Sequence, residues 1–271
     1  MAIQICSTCG TSYPDAPEPP SHCSICVDER QFVPSGGQVW TSPEKLASGH
    51  VNGWRLLENS LFEIHTHPHF GIGQRALLLR TAHGNVLWDC ITLLDDATEQ
   101  LIRGLGGLRA IAISHPHYYT SMQDWARRFD CLVHLHGADS EWIMRPDPAL
   151  RQWQGETLEI VKGVTLLRLG GHFAGGTVLH WAEGAEGRGA ILSGDIVQVA
   201  ADLRRVSFLW SYPNMMPLSA ETVRRLADTL GCWKFDRIYG AFPGRQVTNG
   251  GARAVQRSAA RYVELLSSQQ P

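Results

Sequence analysis

The chain has 271 residues, 44% hydrophobic and 18% charged, with a formal net charge of −2. That is the composition of an ordinary soluble globular protein, long enough for one large domain plus a small appendage. It has no basic excess to suggest nucleic acid and no apolar run longer than a few residues to suggest a bilayer span, and it opens without the basic start and apolar stretch of a signal peptide.

Those exclusions lead to an expected cytoplasmic location, with neither nucleic acid nor membrane as partner. Residues 1–35 differ in character from the rest. They are rich in Cys, Pro and Ser and develop no amphipathic period, so they cannot bury a core of their own. Cys6-Ser-Thr-Cys9-Gly10 and Cys23-Ser-Ile-Cys26 place two CxxC units 13 residues apart. Each loop can turn both sulfurs toward one point, and two loops complete a tetrahedral thiolate cage. Four thiolates leave no open position, so the expected task of that metal is folding. Zinc is expected; the first loop also resembles a rubredoxin knuckle, but the second has Val27 where a glycine would follow. Residues 33–43 read as a linker or docking strap. The other three cysteines, Cys90, Cys131 and Cys232, read as buried small hydrophobes.

Residues 36–271 are expected to form the second domain. The segment His65-Thr-His67-Pro-His69 reads as an exposed loop near its entry. Gln74–Thr81 and Val86–Ile91 read as a hairpin, and 95–104 as a helix with Ala97, Leu101 and Ile102 on one face. A short buried strand follows at Leu108–Ser114, then a helix at Gln123–Phe129 and a strand at Leu132–His136. Strands are predicted at Thr157–Ile160, Val164–Leu169, Thr177–Trp181 and Gly189–Ser193. Helices at Ala220–Leu230 and Ala252–Leu266 flank a strand at Arg237–Tyr239. Early hairpins followed by alternating strands and helices fit an α/β or α+β sandwich with its helices outside.

The chemistry concentrates at three points. His115-Pro-His117 follows the buried strand directly, His172 sits in the glycine frame Leu169-Gly-Gly-His-Phe-Ala-Gly-Gly, and Asp195 ends the apolar run Ala190-Ile-Leu-Ser-Gly. Nitrogen and oxygen ligands on separate loops are how a scaffold builds an open catalytic metal site. Asp195 also has the ordinary role of capping a turn open to it, and Ser211–Pro217 reads as a proline-rich connection in preference to a wall of the pocket.

Here the sequence resembles the metallo-β-lactamase superfamily, its glyoxalase II-like branch in particular, over about residues 60–245. The resemblance implies an αββα sandwich. It makes His115, His117 and His172 the ligands of a first metal and Asp195 the bridging carboxylate. It implies a small-molecule substrate as partner and hydrolysis of a small ester, thioester or related bond, with a metal that lowers the pKa of water toward about 7. Asp89 resembles a family aspartate that supports the metal loop from behind, and a carboxylate that simply caps loop amides is the equal alternative. The departures are as informative. Tyr119 and Thr120 stand where the family has an Asp and a His of the second metal site, and Ala241 where it has the last His. A mononuclear central site is therefore expected, zinc before iron or manganese, with Asp195 a fourth ligand or the group that handles the water proton and Tyr119 donating to the oxyanion. A catalytically silent binding module and a mononuclear redox or oxygen-handling site stay open as alternatives.

Overall fold

The computed structural model describes residues 2–267. The chain divides between Trp153 and Gln154 into two compact units.

The first unit is built on a seven-stranded sheet. Its strands, in spatial order, are Leu150–Trp153, Leu132–His136, Ala110–Ala112, Val86–Trp88, Arg75–Leu79, Leu61–His67 and Val51–Glu58. The middle strands, such as Arg75–Leu79, are buried along their whole length, as expected of strands covered on both faces. The pairs from Val86–Trp88 to Ala110–Ala112 and on to Leu132–His136 are parallel. Their carboxyl ends deliver Asp89 and the His115–His117 loop from adjacent strands. Helix Asp96–Gly104 is capped by Asp95, whose side chain accepts from the Thr98 N–H. Its buried residues are Thr98 and Ile102, while Leu101 is 49% exposed. The expected face of Ala97, Leu101 and Ile102 is thus rotated. Thr98 turns inward because its Oγ1 accepts from Asn52 Nδ2 at 3.1 Å, which satisfies a hydroxyl that the apolar pattern alone counts as surface.

Residues near the amino terminus form a small three-stranded sheet, with Ser12–Ala16 and Trp40–Thr41 flanking Ala2–Cys6. The strap at 33–43 thus adds a strand beyond residue 35. This cluster buries Cys6, Cys9, Tyr13, Cys23, Ile25 and Cys26, with Trp40, Trp142 and Met144 packed against it. Four of its six buried members are cysteines.

The second unit has a six-stranded sheet in the order Thr157–Val161, Val164–Arg168, Thr177–Trp181, Ala190–Gly194, Arg237–Gly240 and Gln246–Val247. Helix Ala220–Gly231 starts at Ser219, whose hydroxyl accepts from Thr222 N at 3.2 Å. It buries Val223, Leu226, Ala227 and Leu230, one face at helical spacing. Helix Gly251–Ser267 buries Ala254, Val255, Ser258 and Ala259. Both faces meet a core that includes Leu167, Val178, Ile191, Phe208 and Ile238. Cys90 and Cys131 are buried as expected, but Cys232 is exposed. It lies two residues past Leu230, so the helical turn carries it to the outer face. Among the described residues no helix is long and apolar enough to cross a membrane.

Candidate functional site

The sulfurs of Cys6, Cys9, Cys23 and Cys26 converge, all within 4.8 Å of one another. The Cys6–Cys26 and Cys9–Cys23 pairs are each 3.6 Å apart. A tetrahedron with zinc–sulfur bonds of about 2.3 Å has edges of roughly 3.8 Å, so the four thiols fit an ion of that size. Gln38 Nε2 donates to Cys6 Sγ at 3.0 Å and Tyr13 OH to Cys23 Sγ at 3.4 Å, bonds that favour thiolates. Gly10 closes the first loop at φ +84°, and a Cβ there would lie 2.2 Å from Thr92 Oγ1. Only glycine serves at that position.

This cluster rests on the loop that carries His115 and His117. The Thr120 carbonyl accepts from Ser12 N at 2.9 Å and from Ser12 Oγ at 2.6 Å. Thr92 Oγ1 donates to the Gly10 carbonyl at 3.0 Å. Gln31, 5% exposed, brings Nε2 to 3.5 Å from His117 Nδ1. Thr120, at the place of a second-site histidine in the resemblance, thus serves as a backbone dock for the amino-terminal segment.

His115 and His117 are each 1% exposed. Their rings lie 4.9 Å apart, and Tyr118 packs edge-on to His115 at 5.3 Å. Ser114 Oγ is 2.8 Å from His115 Nδ1, and Asp89 Oδ1 accepts from Ser114 N at 2.7 Å. Asp89 is itself buried and held at φ 61°, in the left-handed region. It holds the loop through that backbone amide. Replacing Asp89 by Ala is expected to cost about 2–3 kcal/mol, since a charged acceptor is lost and Ser114 N–H is left buried without it. Asn, which tolerates left-handed backbone, will cost less. Denaturant unfolding of both variants checks this, and an Ala variant as stable as wild type would remove the brace from the account. Tyr119 is buried, which pushes its phenol well above the ordinary value, with Asp139 adding to the effect. It stays a neutral donor.

In the second unit His172 is 0% exposed. Gly170 and Gly171, at φ +66° and +86°, turn the chain into it, and a Cβ on Gly176 would lie 2.8 Å from the Gly170 carbonyl. His172 Nδ1 is 2.6 Å from the Trp210 carbonyl. A carbonyl only accepts, so Nδ1 carries the proton and Nε2 keeps its lone pair. Tyr212 packs edge-on to the His172 ring at 5.5 Å and donates its hydroxyl to the Asp195 backbone carbonyl. Burial, then the Asp195 charge, raises its phenol pKa. The 211–217 segment is therefore more than a connection. Together with Trp210 it orients His172 and fixes the backbone of Asp195, which is 3% exposed. Gly240 ends its strand and Ala241, buried, follows.

His65 and His67 lie in strand Leu61–His67, not in a loop. The segment pairs with Val51–Glu58 along its full length, a long-range partner that outweighs the local Pro68 signal. Their Nε2 atoms are 2.6 Å apart, while His69 packs on Gly73 instead. His136 stacks edge-on to Trp153 at 4.5 Å.

No family model matches the chain. It is 45% identical over 271 residues to "Uncharacterized protein YmaE" of Bacillus subtilis (strain 168), covering 99% of this chain and 98% of that protein. Among solved structures, the DIM-1 metallo-β-lactamase superposes with a TM-score of 0.60 at 13% identity, over 80% of this chain and 98% of its own. MEM-A1, a subclass B3 metallo-β-lactamase from a soil metagenome library, gives 0.54 at 16% identity over 79% and 95%. At such identities the likeness shows the fold, and the fold is the metallo-β-lactamase sandwich expected from the sequence.

Proposed function

We propose that this chain, which belongs to the same family as Bacillus subtilis YmaE, is a metal-dependent hydrolase of a small ester, thioester or related bond, in the manner of the glyoxalase II-like branch. His115, His117 and His172 are taken as ligands of one central ion, and Asp195 as a fourth ligand or as the group that orients and deprotonates the attacking water. The observation that carries this reading is the bond from His172 Nδ1 to the Trp210 carbonyl at 2.6 Å. Backbone carbonyls hold metal-binding imidazoles in this way, fixing the tautomer that leaves Nε2 as the ligand. Three imidazoles and a carboxylate, all buried, fit zinc, and less closely iron or manganese. An ion held there would supply Lewis acidity toward water and a carbonyl.

The chain's own residues do the rest. Ser114 and Asp89 hold the His115 ring and its loop. Tyr119, kept neutral by burial, donates a hydrogen bond to the developing oxyanion. Residues 1–35 form a zinc knuckle on Cys6, Cys9, Cys23 and Cys26, a closed structural site. Because the knuckle docks on Thr120 and reaches His117 through Gln31, we take it to brace the loop where the family uses a second ion.

The test is turnover of ester and thioester substrates by protein reconstituted separately with zinc, manganese and iron. Turnover is expected to follow the added zinc and to disappear in Asp195→Asn. Equal hydrolysis by wild type and Asp195→Asn would contradict the proposal.

A further inference from the structure

We propose that a cleft in the second unit, between helix Gly251–Ser267 and the hairpin before it, binds a small ligand carrying two or more phosphate groups. This site is independent of the chemistry proposed above. The cleft has two adjoining lobes of about 690 and 790 Å³, and Asp202, Arg204 and Arg257 line both. These volumes suit a small molecule better than a flat surface would.

One wall is a stripe of the helix. Arg253, Arg257 and Arg261 recur at every fourth position and so share a face, with Ala254 and Ser258 at its edge and the buried Val255 and Ala259 turned away from it. The other wall is the turn between strands Gln198–Val199 and Val206–Ser207. Asp202 Oδ1 accepts from Arg204 N at 3.0 Å and from Arg205 N at 3.1 Å, which folds the turn and sets both arginines on the cleft. Leu203 takes φ 57° and is 42% exposed. Left-handed backbone is costly for leucine and is held only where surrounding bonds over-determine it. The two walls are also tied together: Val206 N–H donates to Ser258 Oγ at 3.1 Å, and Tyr262 OH donates to the Phe208 carbonyl. The cleft is therefore formed before any ligand arrives, which lowers the cost of binding.

The charge is unbalanced. Arg205 pairs with Asp202 and Arg261 with Glu264. Among the described residues no acidic side chain forms an ion pair with Arg204, Arg253 or Arg257. Three uncommitted guanidinium groups in one cleft, on a chain of net charge −2, match the paired oxygens of phosphate. Leu203 and Ala254 add apolar lining, a place for an organic group attached to the phosphate chain.

Calorimetric titration of the full chain with inorganic tripolyphosphate and with ATP, at low salt, tests this. Saturable binding of tripolyphosphate is expected, weakened roughly tenfold or more in each of Arg204→Ala, Arg253→Ala and Arg257→Ala and abolished in the triple variant. Arg80→Ala, an exposed arginine of the first unit, should bind as wild type does. Tighter binding of ATP than of tripolyphosphate, lost in Leu203→Ser, would identify the ligand as a nucleotide; equal binding would identify a bare phosphate chain. All these substitutions leave both candidate metal sets intact. Heat that persists in the triple variant is therefore chelation of an ion by the probe and overturns the proposal. So does the absence of saturable binding, or a single-stranded RNA oligomer bound far more tightly than tripolyphosphate.

Discussion

Replacing Cys9 and Cys23 together by serine will release one metal per chain, open residues 1–35 to proteolysis and weaken the hold on the central metal. The first two effects follow from what the segment buries. Apart from its four cysteines, the apolar side chains it buries are few, Ile5, Tyr13 and Ile25 among the described residues. So small a core does not offset the entropy of ordering the segment, and an ion held by the four thiolates would supply the missing stabilisation. The third effect follows from the docking contacts. With the cage open, Ser12 leaves the Thr120 carbonyl, Gly10 leaves Thr92 and Gln31 leaves His117. Losing partners that orient a ligand typically lowers metal affinity roughly 10–100-fold, while the helix and strand signal of the rest is retained. Elemental analysis, limited proteolysis and circular dichroism of the double variant check the three effects. A variant that keeps its full metal complement would show that the four sulfurs do not share an ion.

His172→Ala will remove both the central metal and the hydrolytic activity. The histidine is fully buried and its ring is clamped by the Trp210 carbonyl, Phe173 and Tyr212, so no neighbouring side chain can take its place. Truncation also leaves a cavity, and a loss of about 2–3 kcal/mol of stability is expected alongside. Thermal unfolding therefore has to accompany the assay, to separate a lost ligand from a lost fold. Tyr119→Phe gives the contrasting result. It keeps the packing and the metal and removes one hydroxyl donor, for which a fall of roughly 10²–10³ in rate is expected. Equal activity in wild type and His172→Ala would mean that the measured turnover arises elsewhere.

The local signals were readable in sequence because each is written in contiguous residues. The CxxC pairs specify converging sulfurs through their own loops. The glycines around His172 specify a backbone that other residues cannot follow, since a Cβ on Gly176 would strike the Gly170 carbonyl. The buried strand before His115-Pro-His117 announces a loop at a strand end. What stayed hidden depends on partners far along the chain. Gln31 lies 86 residues from His117, and Trp210 lies 38 from His172; nothing in either residue's own neighbourhood marks it. The strand pairing that takes in His65 and His67 is set by Val51–Glu58, whose alternation is weak. Thr98 is buried by a hydrogen bond from Asn52 rather than by apolar character. Tyr212 sits in a proline-containing stretch that reads as a connection, and only the folded chain reveals its contact with His172.

The central claim is one catalytic ion, not two. An ion wants at least four donors, and a side-by-side pair needs roughly seven or more protein contacts plus bridging solvent. With His115, His117 and His172 assigned to the first ion, the second would have only a shared Asp195. Tyr119 is a neutral phenol, the Thr120 carbonyl already accepts two bonds from Ser12, and the Ala241 side chain has no ligand atom. The direct measurement is a crystal structure of zinc-loaded protein with anomalous scattering at the zinc edge, supported by metal content before and after mild chelation. The account predicts two peaks per chain, one among the four cysteines that resists chelation and one labile peak bound by the three histidines. Two peaks less than about 4 Å apart at the histidines, or none there at all, would contradict it.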